Sequence, residues 1–273
     1  MQVMQAKEFQ LDLNKRTHIM GILNVTPDSF SDGGRYTDIE KAAAAAKKME
    51  KEGADIIDIG GESTRPGHTP VSAEEEAERI IPVIEALKND LQIPISVDTF
   101  KASVAEQAVK AGASMINDIW GAKKEPEIAA VAARYQVPII LMHNRTDMDY
   151  GDFISDVKAD LQASVSIAKQ AGVEDKQIIL DPGIGFAKTM EQNQYMIKEL
   201  QELNIFGYPL LLAASRKRFI GDILDVPANQ RDIGTAATTV IGIAKGARIV
   251  RVHDVKANLE AAKVADAIYY TNL

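Results

Sequence analysis

Apolar and polar positions alternate in blocks along this chain, and the blocks repeat eight times. Each repeat is a short apolar run that ends in a polar or charged residue and precedes a stretch with helical periodicity. Eight parallel strands alternating with helices predict a (β/α)8 TIM barrel, whose active site lies on the rim of strand carboxyl ends. The runs end at Asn24, Asp58, Asp98, Asn117 with Asp118, His143, Asp181, residues 215–217 and residues 251–253.

The pattern predicts one domain over residues 1–273, with an N-terminal β-hairpin before the barrel. Residues 9–13 are expected to pair with 17–23 across a turn at Asn14 and Lys15. The runs are rich in Ile, Val and Leu, as in parallel sheets buried on both faces. A doubly wound open sheet is the alternative, and eight units favour the barrel. Further strands are expected at 56–59, 95–98, 115–118, 138–142, 178–180, 210–213 and 249–252, and helices at 38–52, 72–89, 102–111, 126–135, 152–171, 190–203, 232–245 and 255–269.

The composition excludes several classes of protein. The 273 residues include no cysteine, which rules out disulfides, thiolate metal sites and cysteine nucleophiles. A net charge of −8 argues against nucleic-acid binding, because a basic face is its usual signature. No apolar run approaches membrane-spanning length and no cleavage-site pattern opens the chain. We therefore expect a cytoplasmic protein that binds neither nucleic acid nor membrane.

Two glycine-containing loops follow the first and second strands, at residues 24–34 and 60–67. The first places Phe30 among polar residues just beyond a strand end, which indicates a lid over a substrate. In the second, glycines permit close backbone approach and Arg65 is suited to an anion. Ordinary surface loops, with Glu62 and Arg65 as a solvated ion pair, are the alternative.

Three hydrogen-bonding side chains, Asp98, Asn117 and Asp181, end the third, fourth and sixth strands. A carboxylate accepts two parallel N–H bonds, and an amide supplies both a donor and an acceptor. Together they suit the amidine-like edge of an aminopyrimidinone ring such as guanine or a pterin. For any one Asp, capping of the next helix is the alternative.

Basic residues follow the seventh and eighth strands, where barrels commonly bind phosphate. Strand alternation directs Arg251 and His253 inward, and a buried arginine requires an anion. A solvated turn is the alternative for residues 215–218, more plausible for Arg216 and Arg218 than for Lys217.

The four histidines show no metal-ligand spacing, so no metal site built only from protein side chains is expected. We interpret His143 as a partly buried histidine with satisfied hydrogen bonds rather than a catalytic one. Trp120 is interpreted as a packing residue.

These segments together resemble the dihydropteroate synthases of bacterial folate synthesis. The matches fall at the strand ends from the first to the last, so the resemblance covers essentially the whole barrel. Small residues differ at Ala187, Ala213 and Ala214, which leaves the named contacts intact. The matching stretches are 21–34 (GILNVTPDSFSDGG), 58–67 (DIGGESTRPG), 96–99 (SVDT), 116–121 (INDIWG), 142–144 (MHN), 181–186 (DPGIGF), 215–217 (SRK) and 251–255 (RVHDV).

The resemblance implies a transferase that joins 6-hydroxymethyl-7,8-dihydropterin diphosphate to p-aminobenzoate and releases diphosphate. It implies Mg2+ as cofactor, with Asn24 as the one protein ligand, and a homodimer as the assembly. It places the pterin on Asp98, Asn117, Asp181 and Lys217, and the diphosphate on Asn24, Thr64, Arg251 and His253. The p-aminobenzoate side is lined by Phe30, Asp32, Arg65, Pro66, Phe186 and Ser215, and Met142 is a further substrate-binding residue.

The chemistry of such a reaction is electrostatic, because a dihydropterin ring delocalises positive charge and lets diphosphate leave before the amine attacks. We expect a dissociative, SN1-like route. Arg251, His253 and Mg2+ would stabilise the leaving anion, and Asp98 and Asp32 the ring cation. With Lys217, these side chains are the expected catalytic residues.

Three other functions are compatible with parts of the pattern. A pterin-binding methyltransferase domain would reuse Asp98, Asn117 and Asp181 but has no need of Arg251 and His253 for diphosphate. A catalytically silent pterin-binding paralogue would have lost a loop or a charged strand end, and none is missing. A sugar-phosphate barrel enzyme leaves the three amidine-reading side chains unexplained.

Overall fold

The computed structural model describes residues 3–26, 35–62 and 70–270, with the side chains of residues 35–37 left aside. Within this part of the chain, no helix is long and apolar enough to cross a membrane.

Eight parallel strands form a closed barrel in the order β10-β3-β4-β5-β6-β7-β8-β9. Closure occurs between the last and first barrel strands, where Arg251 is in register with Met20. The open-sheet alternative is therefore wrong. The barrel strands are β3 (His18–Asn24), β4 (Ile56–Gly60), β5 (Ile95–Asp98), β6 (Met115–Asp118), β7 (Ile139–Met142), β8 (Ile178–Asp181), β9 (Leu210–Leu212) and β10 (Ala247–Val252).

Helices cover the outside of the barrel, close to their expected positions. Ser72 accepts a hydrogen bond from the Glu75 amide and so caps the start of the second helix. One short helix, the seventh, is not predicted by the sequence pattern. The sixth helix ends earlier than expected, at Lys198, and a 3-10 segment follows at Leu200–Phe206. The helices are α1 (Arg35–Lys51), α2 (Ala73–Leu87), α3 (Ala102–Ala111), α4 (Glu127–Tyr135), α5 (Phe153–Gln170), α6 (Met190–Lys198), α7 (Arg218–Leu224), α8 (Asp232–Ala244) and α9 (Val255–Tyr269).

The N-terminal hairpin exists, but its strands are not the expected ones. β1 (Val3–Ala6) pairs antiparallel with β2 (Phe9–Asp12), so residues 9–13 do not pair with 17–23. The turn lies at Lys7, which has a positive φ of 53°, rather than at Asn14. The physical reason is that β3 is buried between two parallel neighbours, β10 and β4, and has no free edge for an antiparallel partner.

The barrel interior is divided into an apolar floor and a polar upper layer. The hairpin residues Met4, Ala6, Leu11 and Leu13 pack against inward residues of seven strands, which closes the amino-terminal mouth. Because alternate strand residues face the same side, the residue two positions further along each strand also faces inward. The floor residues are Met20, Ile56, Met115, Ile140, Ile179, Leu211 and Ile249. Their successors are Ile22, Asp58, Asn117, Met142, Asp181, Ala213 and Arg251.

Candidate active site

Arg251 lies at the centre of the polar layer and joins two strand-end carboxylates. Its Nε donates to Asp58 Oδ2 at 2.6 Å, and its Nη2 donates to Asp98 Oδ2 at 2.7 Å. The arginine side chain is only 15 % exposed, so these are partly desolvated, charge-assisted bonds. The sequence analysis expected a phosphate as the anion for Arg251, and the structure gives it two carboxylates.

Asp98 combines a buried charge with a free acceptor. Burial raises its pKa to about 7, with Arg251 opposing the rise and Asp58 adding to it. Its second oxygen, Oδ1, is buried and accepts no hydrogen bond from any residue that the structure describes. A carboxylate held in this way titrates near neutral pH and retains lone pairs for a ligand.

Asn117 and Asp58 are connected through the oxygen that also binds Arg251. Asn117 Nδ2 donates to Asp58 Oδ2 at 2.9 Å. Asp58 is completely buried, and the sequence analysis named it as a strand end without giving it a role. The next residue after Asn117 behaves differently: Asp118 accepts from the backbone amides of Trp120 and Ala122. Asp118 thus holds the turn after β6 through backbone amides, whereas Asn117 faces the barrel interior.

Asp181 and Lys217 lie on the other side of the polar layer. Asp181 Oδ1 accepts from the Gly183 amide at 2.7 Å, and burial raises the Asp181 pKa. Lys217 Nζ donates to the Ile184 carbonyl and lies 4.6 Å from the centre of the Phe186 ring. Burial lowers the Lys217 pKa to about 8, while Asp181 and Asp98 oppose the fall.

The other two basic residues of this turn, Arg216 and Arg218, lie outside the polar layer. Arg216 binds both oxygens of Asp232 in α8, at 2.7 and 2.8 Å. The side chain of Arg218 is 90 % exposed. Of the three basic residues in the turn, Lys217 alone contacts the β8–α6 loop, at the carbonyl of Ile184.

Ser215 and His253 form a pair above Arg251. The two side chains are linked at 2.9 Å between Oγ and Nδ1. The backbone amide of His253 donates to Ser215 Oγ at 3.1 Å, so the hydroxyl proton is free to be donated to Nδ1.

His143 is buried and hydrogen-bonded, as the sequence analysis expected. Its ring lies between Lys188 Nζ at 2.8 Å and Asp160 Oδ2 at 3.0 Å. Burial and the neighbouring Lys188 lower its pKa to about 3, so the ring is neutral at pH 7. Lys188 also donates to the Gly183 and Phe186 carbonyls. The network therefore anchors the loop that carries Phe186.

Gly183 is predicted to be essential to that loop. It has φ of +70°, and a Cβ would lie 1.9 Å from the His143 carbonyl oxygen. Gly183→Ala is expected to cost about 3 kcal/mol or more in free energy of unfolding, because left-handed backbone strain and overlap add. Gly207, with φ of +72° and open space around it, is the matched control. Urea unfolding should give Gly207→Ala a loss of about 1 kcal/mol, and equal losses in both variants would contradict the crowding argument.

The remaining predicted site residues lie at strand ends or in the chain segments after the first two barrel strands. Asn24 ends β3 and is exposed, and Met142 ends β7 and is buried. Glu62 is buried rather than solvated and binds Lys101, which also holds Glu76. The following predicted site residues lie outside the described residues: Phe30, Asp32, Thr64, Arg65 and Pro66.

Comparisons with known proteins identify the family of the chain. The family described as "Pterin binding enzyme" matches residues 20–253. The dihydropteroate synthase of Bacillus subtilis is 58 % identical over 267 residues, covering 98 % of this chain and 94 % of the relative.

Two solved structures share the fold over nearly the whole chain. Dihydropteroate synthase from Clostridium difficile, crystallised in the presence of pteroic acid, has a TM-score of 0.94 and 51 % identity. It matches 96 % of this chain and 100 % of its own. The Xanthomonas albilineans dihydropteroate synthase with 4-aminobenzoic acid has a TM-score of 0.94 and 41 % identity, covering 99 % of both chains. The chain belongs to the dihydropteroate synthase family of pterin-binding enzymes.

Proposed function

We propose that this transferase condenses 6-hydroxymethyl-7,8-dihydropterin diphosphate with p-aminobenzoate to give 7,8-dihydropteroate and diphosphate. The observation that carries the proposal is the polar layer itself. It brings three predicted pterin-reading side chains together with two cations on one rim of the barrel: Asp98, Asn117, Asp181, Lys217 and Arg251. Solved relatives obtained in the presence of pteroic acid and with 4-aminobenzoic acid support the two substrate halves.

We propose that the pterin lies against the polar layer with its amidine-like edge toward the carboxylates. Asp98 Oδ1 is a buried acceptor without a partner among the described residues, and a ring N–H pair is the kind of donor it lacks. The Asn117 amide would form a further hydrogen bond with the pterin, and the Lys217 ammonium group would bind the carbonyl oxygen of the pterin ring. Phe186 and Ser215, beside Lys217 and His253, are the described residues assigned to the p-aminobenzoate side.

The proposed route is dissociative. The bond between the pterin methylene carbon and the diphosphate oxygen breaks first, and diphosphate takes the electron pair. Arg251 and His253 stabilise the leaving anion, while the carboxylate of Asp98 stabilises the ring cation. The aryl amine then forms the C–N bond and loses its proton to solvent. A neutral aryl amine needs no strong base, so the chain requires no covalent nucleophile.

Mg2+ is proposed as a cofactor that is bound together with diphosphate. Among the described residues, no group of three or more His, Asp or Glu side chains could hold a metal. Asn24 presents one neutral amide oxygen at the rim, and Mg2+ often takes one or two protein oxygens plus substrate phosphates and water. The donor set therefore fits a substrate-borne ion, which when bound neutralises diphosphate charge. The homodimer and the cytoplasmic location stay predictions.

The test is turnover by purified protein given the dihydropterin diphosphate, p-aminobenzoate and Mg2+. Equimolar formation of diphosphate and dihydropteroate is the expected result. Pterin binding without condensation would instead indicate a silent paralogue, and absence of pterin binding would remove the site assignment. If cleavage precedes attack, slow diphosphate release is expected to continue when p-aminobenzoate is omitted.

The pKa of Asp98 gives a prediction for pH. Since the carboxylate is the acceptor form and its pKa is about 7, protonation at lower pH removes a ligand contact. The dissociation constant for the pterin is expected to rise by up to roughly tenfold per pH unit below 7. Calorimetry between pH 5.5 and 8 measures this. Asp98→Asn should bind weakly with a shallower slope, and a flat wild-type profile would refute the assignment.

A further inference from the structure

Asp58 is a fully buried carboxylate, with an exposed fraction of 0 %. It nevertheless contacts two residues assigned to substrate. Its Oδ2 accepts from Arg251 Nε at 2.6 Å and from Asn117 Nδ2 at 2.9 Å. Asp58 is in the same inward layer as these partners, since it stands two residues beyond the floor residue Ile56.

The bond from Asp58 determines how Asn117 presents its amide. A carboxylate oxygen only accepts, so it selects the Nδ2 side of the Asn117 amide. The Asn117 carbonyl oxygen is then directed away from Asp58 and is available to a ligand. An amide at position 58 could donate as well as accept, and the Asn117 amide would no longer have one preferred orientation.

The same carboxylate holds Arg251 independently of Asp98. Arg251 uses Nε for Asp58 and Nη2 for Asp98, so its two bonds come from different nitrogens. A ligand that competes for Asp98 leaves the Nε bond in place. The guanidinium therefore keeps its position in the layer while Asp98 exchanges partners.

We propose that Asp58 is a positioning residue for the reaction, which fixes the amide of Asn117 and the guanidinium of Arg251 through one shared oxygen. The inference rests on the proposed function. It predicts that loss of the Asp58 charge weakens pterin binding through Asn117 and slows turnover through Arg251, although Asp58 itself is fully buried.

The experiment combines binding and turnover for Asp58→Asn, Asn117→Ala and the double variant. The binding probe is 6-hydroxymethyl-7,8-dihydropterin, which lacks the diphosphate and so reports on the ring alone. Asp58→Asn is expected to raise its dissociation constant at least about tenfold, and kcat in the full reaction should fall at least about tenfold. In the Asn117→Ala background, the additional effect on binding should shrink to within about twofold, because interacting residues are not additive.

Asp118→Asn is the matched control. Asp118 is also a fully buried strand-end carboxylate, but it binds the backbone amides of Trp120 and Ala122. Its dissociation constant and kcat should stay within about threefold of wild type. Should Asp58→Asn fail to fold by circular dichroism, Asp58→Glu, which retains the charge but displaces it by one methylene, takes its place in the cycle.

The outcomes separate the inference from the proposed function. Wild-type protein that neither binds the pterin nor turns over would remove both. Wild-type turnover with unchanged binding and kcat in Asp58→Asn would overturn the positioning role alone. Equal binding losses for Asp58→Asn with and without Asn117 would also overturn it, because the effect would then not pass through that amide.

Discussion

Arg251→Ala is expected to abolish measurable turnover, with kcat/KM at least about a thousandfold below wild type. Removing the guanidinium takes away the cation proposed to face the leaving diphosphate, a kind of loss that commonly costs about 10²–10³ in rate. It also leaves Asp58 and Asp98 as neighbouring buried carboxylates without the arginine between them. An uncompensated buried charge costs about 3–5 kcal/mol, so the pKa of Asp98 should rise further and weaken pterin binding as well.

The sharper variant is Arg251→Lys, which retains the charge. An ammonium group lacks the planar fork that lets Arg251 donate to Asp58 and Asp98 from separate nitrogens. We expect kcat/KM to fall about a hundredfold while the thermal midpoint shows a folded protein. The matched control is Arg216→Lys, which alters an arginine that also makes two carboxylate bonds, both of them to Asp232 outside the polar layer. Similar losses in both lysine variants would contradict the central position assigned to Arg251.

The barrel was predictable because its signal is repeated eight times, and each repeat constrains the others. The strand ends recovered the positions of Asp98, Asn117, Asp181 and Arg251 for the same reason: parallel strands bring their carboxyl ends to one rim. The family resemblance at those ends then agreed with the comparisons. The repeated pattern therefore predicts both the barrel and the side chains at its strand ends.

The hairpin pairing could not be predicted because its partner is set by the rest of the fold. Residues Met4, Ala6, Leu11 and Leu13 are buried and alternate with more exposed neighbours, as a strand pair covering an apolar floor requires. That floor does not exist until the barrel closes. In the sequence alone, Asn14 and Lys15 compete with Lys7 as the turn, and nothing local decides between them.

The role of Asp58 could not be predicted because its strand, β4, is buried on both faces. The run Ile56, Ile57, Asp58, Ile59 is apolar on either side of the carboxylate, so hydrophobic alternation does not show which residues face the barrel axis. In the structure, Ile56 packs on the floor, and Asp58 therefore faces inward beside Arg251. The short α7 helix was not predicted for a different reason: its seven residues, which include Gly221, are too few to show a helical periodicity.

Lys217→Met is expected to lower kcat/KM about a thousandfold and to leave the fold at least as stable as wild type. Lys217 donates to the Ile184 carbonyl and lies 4.6 Å from the centre of the Phe186 ring, and Asp181 and Asp98 attract its charge. Methionine retains the apolar stem but removes the charge proposed to hold the pterin carbonyl. The substitution therefore separates electrostatic binding from packing.

The expected stability of Lys217→Met follows from the pKa of Lys217. Folding lowers the pKa of Lys217 from 10.5 to about 8, so the unfolded chain binds more protons than the folded chain between these values. Stability contributed by this group accordingly rises with pH from 8 to 10.5, and near pH 7 the buried ammonium is unfavourable. Removing it should maintain or raise the thermal midpoint at pH 7, and it should abolish the Lys217 contribution to the rise toward pH 10.

Arg218→Ala is the control from the same turn, because the Arg218 side chain is 90 % exposed. Its kcat/KM should stay within about twofold of wild type, since an exposed arginine paired with Asp222 contributes little. Calorimetric pterin binding, steady-state kinetics and thermal melts at pH 7 and pH 10 measure all three proteins. A Lys217→Met variant that binds and turns over like Arg218→Ala would show that the β9–α7 turn supplies no cation to the site. The positive charge of the polar layer would then rest on Arg251.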